Sequence, residues 1–282
     1  MISDNQNVVA VGGMGGSGSR VVATLIEAMG FYMGNYLNQE RDNITFTRLF
    51  KNPDWFKTAT RDDFNLRFHL FVRITKGEKL TPKQVQMYLK AVAENHLHSA
   101  TVLHRAAFVL RNRLHPLVRN SKWAWKEPNT HIMIDRVIPL ADKIRYIHVL
   151  RHGLDMAFSK NRQQLINWGW MFGLDSTANQ SIDIYRKQLE FWIRSTKRVL
   201  EICPPALGGN FYVLNYNRLL NHPEKEIESL AGFLNADLSK KRRDMLTKKI
   251  IKPRTDGRYK THDLSIFSDR QLDQVREFGF QY

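Results

Sequence analysis

A chain of 282 residues with 43% hydrophobic residues buries a sizeable core and is not a disordered segment. Lys and Arg outnumber Asp and Glu by 43 to 27, and the resulting charge of +16 attracts polyanions of any kind, whether nucleic acid, an anionic membrane surface or a charged nucleotide. The single cysteine, Cys203, excludes an intramolecular disulfide and a cysteine-rich metal site; with no apolar run of bilayer length and no signal-like pattern in residues 1–7, the expectation is a cytoplasmic protein without a transmembrane segment.

Val8, Val9, Ala10 and Val11 read as a buried strand that runs into the glycine-rich loop Gly12–Arg20. Val21, Val22, Leu25, Ile26 and Met29 then recur at helical spacing, and Gly30 stands where a helix often ends. Strand, glycine loop and helix together aim backbone N–H groups at an anion, since glycine has no side chain to block the approach. The loop is compatible with three ligand classes. Gly13, Gly15 and Gly18 satisfy the dinucleotide fingerprint, with Glu40 near the distance of a ribose acid, which makes an NAD(P)-dependent oxidoreductase one reading. Gly13 and Gly18 also have Walker A spacing, but Ser19 and Arg20 occupy the places of its Lys and Ser/Thr, which disfavours an ordinary NTPase. The third class is the phosphosulfate of a sulfuryl donor.

The polar segment 35–43 lies by the strand ends only if the chain doubles back; its composition favours a solvated loop, yet Glu40 and Asp42 are candidates for a general base. Residues 44–118 are patterned as helices without strand alternation, with Thr81, Pro82 and Gln84 forming a capping box, and read as a helical insertion over one end of the sheet. Its aromatic residues read as core, and its histidines share no metal-ligand spacing, so no metal is expected.

Lys122–Lys126 reads as a strand, placing Lys126 at a carboxyl end where open α/β sheets bind ligands; Asn129 and Thr130 then cap a helix ending near Pro139. Tyr146–Leu150 is a further strand, with Arg151 leaving it and Ser159 two turns along the next helix, a pairing suited to a phosphate dianion. Ile182 to Cys203 is a long amphipathic helix stopped by Pro204 and Pro205, with Cys203 a core thiol. Phe211–Asn215 is a strand ended by Tyr216, and Pro223 opens a helix through Leu234. Basic residues crowd 240–260, mostly as a solvated face, and Ser268 with Gln271 caps a last short helix. A basic nucleic-acid-binding protein is the alternative from a different class, although no stacking platform or recognition signature accompanies the charge.

The ordered set of glycine loop, Lys126-Glu127-Pro128, Tyr146 to Ser159, Tyr216 to Pro223 and Gly257-Arg258-Tyr259-Lys260 resembles the sulfotransferases that use 3′-phosphoadenosine 5′-phosphosulfate, PAPS. That resemblance implies one three-layer α/β domain over residues 1–282, P-loop-like, with a short central parallel sheet, helices on both faces and residues 44–118 capping the acceptor site. It implies a donor site at Gly15, Gly16, Ser17, Gly18, Ser19 and Arg20 for the phosphosulfate, Arg151 and Ser159 for the 3′ phosphate, and Tyr216, Arg258, Tyr259 and Lys260 around the nucleotide. Lys126 would neutralise charge on the moving group, and the base would be Glu40 or Asp42, with Glu127 third. The implied acceptor is a hydroxyl of a carbohydrate or other small metabolite, without metal or nucleic-acid partner. One departure stands out: Gly16 occupies the place where many relatives carry Lys or Arg, leaving Arg20 and Lys126 as candidates for the missing charge.

Overall fold

The computed structural model describes residues 7–34, 36–94, 122–141, 143–175 and 182–282. Four parallel strands form one sheet: β1 (Asn7–Gly13), β2 (Lys122–Lys126), β3 (Arg145–Leu150) and β4 (Phe211–Asn215), in the order β2-β1-β3-β4. Val11 lies level with Lys126 on one side and Ile147 on the other, while Leu150 faces Asn215, so all four carboxyl ends share one edge. The chain leaves β1 toward β2 and then crosses to β3, which makes the loop after β1 the switch point where open sheets take ligands.

Helices cover both faces because the strands are apolar on both. Val8, Ala10, Trp123, Trp125 and Tyr146 point into an aromatic core, whereas Val9, Val11, Ala124, Ile147 and Val149 alternate into an aliphatic one. The aliphatic side is covered by α1 (Ser19–Ala28) through Val22, Leu25 and Ile26 and by the later helix that carries Ile227 and Leu230. On the aromatic side stand α2 (Ile44–Phe50), α3 (Pro53–Thr58), α4 (Arg61–Thr75) and α5 (Pro82–Glu94). Phe46, Phe68 and Phe71 from these helices meet Trp125 at ring separations of 5.3 to 6.2 Å. Each such fully buried ring contributes on the order of 2–3 kcal/mol, so the helices of the insertion are integral to the core. Residues 95–118 of the insertion lie outside the described residues.

The second half continues with α6 (Thr130–Val137), α7 (Gly153–Ala157), α8 (Gln163–Trp168), α9 (Ile182–Leu207), α10 (Tyr216–Asn221), α11 (Pro223–Leu234), α12 (Lys240–Lys248) and α13 (Asp269–Glu277). Two expectations are corrected. The helix after β3 ends at Ala157, so Ser159 lies beyond it: Gln188 from α9 donates to the carbonyls of both Met156 (2.6 Å) and Ser159 (3.0 Å) and takes over where helical N–H donors would stand. Pro204 and Pro205 do not stop α9, which runs on to Leu207; both rings lie on its exposed side while Val199 and Cys203 remain buried, so only the prolines' own N–H bonds are lost. Tyr216 ends β4 as expected and does so by beginning α10, whose first turn is capped by Asn215 accepting from the Arg218 N–H.

Candidate active site

Hydrogen bonds from several elements hold the glycine loop. The Gly13 N–H donates to the Pro128 carbonyl (3.1 Å) and the Ser17 N–H to the Met14 carbonyl (3.0 Å). The Gly15 N–H donates to Gln164 Oε1 (2.9 Å), and the Gly16 carbonyl accepts from Arg151 Nη1 (3.1 Å). Gly18 precedes α1 with φ of 94° and lies flat against Tyr216: a Cβ there would stand 2.2 Å from the ring, so no other residue fits. The first-turn amides of α1, from Ser19 and Arg20, have no acceptor within the helix and sit at its positive end. Ser17 is buried, and its hydroxyl has no protein partner among the described residues.

Arg151 leaves β3 beside this loop. Its Nη2 donates to Asp155 Oδ2 (3.0 Å) and to the carbonyl and hydroxyl of Thr255, while its buried Nε has no protein partner among the described residues. Asp155 is wholly enclosed and accepts in addition from the N–H groups of Gly257 (3.0 Å) and Tyr259 (3.5 Å). The anticipated loop at 257–260 is therefore fastened over the end of β3 by one aspartate. Tyr259 stacks on His152 at 4.4 Å, and both side chains bond the Gln281 carbonyl. Arg258 donates to the Thr255 carbonyl (3.3 Å), and burial together with nearby Arg151 lowers its pKa. Lys260 is exposed; with His152, Asn217, Asp256 and Tyr259 it borders a cleft of about 350 Å³. Ser159 is nearly buried and its hydroxyl accepts from the Asn161 N–H (3.2 Å).

On the other side of β1, the candidate catalytic residues come together. The polar segment does double back: the Asn43 N–H donates to the Lys126 carbonyl (2.7 Å), and Asn38 braces Asp42 through its side-chain amide and carbonyl. Lys126 is buried, and its ammonium donates to Asp42 Oδ1 (2.5 Å) and to the Glu40 carbonyl (3.0 Å). Arg20 pairs with the Glu40 carboxylate at 2.8 Å, both half exposed. Both candidate replacements for a cation at Gly16 are thus held by one short loop. The arrangement sets a buried cation beside a carboxylate, near the positive end of α1.

Glu127 has a different fate from the one anticipated. It is enclosed and accepts from the main-chain (2.7 Å) and side-chain (2.8 Å) N–H groups of Asn129, so it is not open to an incoming hydroxyl. Burial, reinforced by the Asp42 charge, pushes its pKa up to about 7. Its partners were missed in the sequence. Asn129 Oδ1 accepts from Gln164 Nε2 (3.1 Å) and Trp168 Nε1 (2.8 Å), and Gln164 in turn grips Gly15, so a chain of amides links the end of β2 to the glycine loop. The only local signal was a cluster of amides, Asn161, Gln163 and Gln164, at the start of α8. Among the described residues, no group of three or more His, Cys, Asp and Glu side chains is placed to hold a metal ion.

Sheet order and helices on both faces define an α/β protein with a glycine loop at the switch point of its parallel sheet. The sequence matches the model of the sulfotransferase family over residues 9–240, and the chain belongs to that family. Its fold is similar to the sulfotransferase domain from the Synechococcus PCC 7002 olefin synthase, at 15% identity and a TM-score of 0.52 over 100% of this chain and 98% of that one. It is likewise similar to the sulfotransferase domain from the curacin biosynthetic pathway, at 13% identity and a TM-score of 0.51 over 98% of each chain. No curated protein matches the sequence at a significant level. Family membership displaces the oxidoreductase and nucleic-acid readings, and Glu40, the ribose candidate of the first, is paired with Arg20 instead.

Proposed function

We propose that the protein transfers a sulfuryl group from PAPS to a hydroxyl of a carbohydrate or other small metabolite. The observation that carries this is the Lys126–Asp42 pair, set at the carboxyl end of β2 beside the glycine loop on β1. The donor fits the residues present: Ser17 Oγ and Arg151 Nε are buried polar atoms lacking protein partners among the described residues, and the amides of Ser19 and Arg20 face an anion site. When bound, PAPS supplies a sulfuryl group on a phosphate leaving group. Gly15 to Arg20 hold the phosphosulfate; Arg151, Ser159 and Arg258 hold the 3′ phosphate; Tyr216, Tyr259 and Lys260 border the nucleotide. Lys126 offsets charge where the leaving oxygen develops it, and Asp42 takes the proton of the acceptor hydroxyl, with Arg20 held in place by Glu40. The helices α2 to α5 cap the acceptor side.

Calorimetry of 3′,5′-diphosphoadenosine beside AMP and NAD tests the donor. Arg151 also balances the enclosed Asp155, so Ser159→Ala and Arg258→Ala are the informative variants. Binding that requires the 3′ phosphate and weakens by about 1–3 kcal/mol in Arg258→Ala is expected. Equal affinity for AMP, or preference for NAD, overturns the reading.

A further inference from the structure

The segment 240–260 holds ten of the chain's 43 cationic side chains against two of its 27 acidic ones, so half of the net charge of +16 sits in 21 residues. The fold gives this charge an orientation. α12 is fastened by Leu246, which is buried in the aliphatic core together with half-buried Ile250. Met245 points the other way and is 46% exposed. Its neighbours three and four residues away on the helix surface are Lys241, Arg242, Lys248 and Lys249, all cations, and none is paired with an acid among the described residues. Two residues beyond, Ile251 is 78% exposed, more than any other large apolar side chain among the described residues.

We propose that α12 and the stretch leading to Arg254 form a docking surface for an anionic lipid bilayer. A ring of unpaired cations alone would suit any polyanion. Met245 and Ile251 decide the partner: apolar side chains surrounded by ammonium groups gain nothing from a sulfated or nucleic-acid chain, which is charged and hydrated, but gain burial where lipid headgroups meet acyl chains. Asp244 is the acid within the patch, outnumbered by its neighbours. No described helix is long and apolar enough to cross a membrane, so contact through this surface is peripheral. The same stretch runs directly into Thr255 and Gly257, which bond Arg151 and Asp155, so docking fixes how the candidate site is presented to the bilayer.

The test is sedimentation of the full chain with phosphatidylcholine vesicles, with and without phosphatidylserine, and it reads binding without relying on activity. Wild type is expected to sediment only with phosphatidylserine present, less so as salt rises. Lys241→Glu/Lys248→Glu is expected to lower the affinity by at least about tenfold. Arg61→Glu/Lys83→Glu, an equal change of charge outside the patch, is expected to leave it within about twofold. Met245→Ser/Ile251→Ser is expected to weaken vesicle binding about tenfold while capture of soluble dextran sulfate stays unchanged. Absence of phosphatidylserine-dependent binding, equal loss from the two charge reversals, or vesicle binding indifferent to Met245 and Ile251 overturns the proposal; the last result makes the surface a polyanion site.

Discussion

Lys126 and Arg151 emerge from the two strands that flank β1, both buried and both paired with an aspartate, yet the two pairs are built differently. Arg151 and Asp155 lie four residues apart on one stretch of chain, with side chains 4% and 0% exposed, and their further bonds, all but the one to the Thr255 hydroxyl, tie down main chain: Gly16, Thr255, Gly257 and Tyr259. Lys126 reaches across 84 residues to Asp42, whose side chain is 19% exposed, and the pair fastens little beyond its own loop. The first pair is framework, whereas the second leaves a carboxylate open to a reactant. Removing one partner of an enclosed pair strands a charge in low dielectric, while a pair with an open side lets water compensate.

Asp155→Ala should therefore show the largest effect on stability, a loss of about 3–5 kcal/mol in urea unfolding, because it strands Arg151 and releases two amides at once. Asp42→Asn should show the reverse balance, losing about 1 kcal/mol of stability and at least 10²-fold in sulfuryl transfer, since it retains the Asn38 brace but cannot accept the proton. Equal destabilisation by the two variants breaks the distinction.

The pH dependence of stability sharpens it further, because the neighbours of the two strand ends titrate in opposite senses. Beneath the glycine loop, burial pulls His148 down to about 3 and His131 to about 4, with Tyr146 hydrogen-bonded to the His148 ring at 3.1 Å. Folded values below the ordinary 6.5 mean that this contribution is intact above pH 6.5 and is lost as pH falls toward 4. Glu127 titrates the other way: raised from 4.5 to about 7, its contribution is complete below pH 4.5 and is lost as pH rises through 7. Glu127→Gln is expected to flatten the alkaline limb, worth on the order of 3 kcal/mol, and to leave the acid limb intact in thermal unfolding followed across pH. The smallest effect belongs to Glu40→Gln, which breaks a half-exposed pair with Arg20 and should change stability by less than about 1 kcal/mol. A large loss there would mean that Arg20 is positioned by Glu40 far more firmly than its exposure implies.

The strands were legible because parallel strands buried on both faces read as short unbroken apolar runs: Lys122–Lys126 and Phe211–Asn215 were anticipated to the residue. Candidate catalytic residues were legible as residue types, and Lys126, Asp42, Glu40 and Arg20 do meet. What the sequence hid depends on distant partners. Gln164 reaches the glycine loop across 149 residues, Gln188 ends the helix before Ser159 from 29 residues away, and Asp155 holds a loop 102 residues on. No local periodicity records which carbonyl or amide a side chain will meet.

The fate of Cys203 has a practical side. Its thiol is fully enclosed near the end of α9, and burial holds its pKa up at about 12, so the native protein offers alkylating reagents almost no thiolate. Because it is the sole sulfhydryl in the chain, the rate at which it is labelled becomes a built-in clock for the opening of that helix, and the ratio of that rate to the rate for an unfolded peptide gives the opening free energy without an introduced probe.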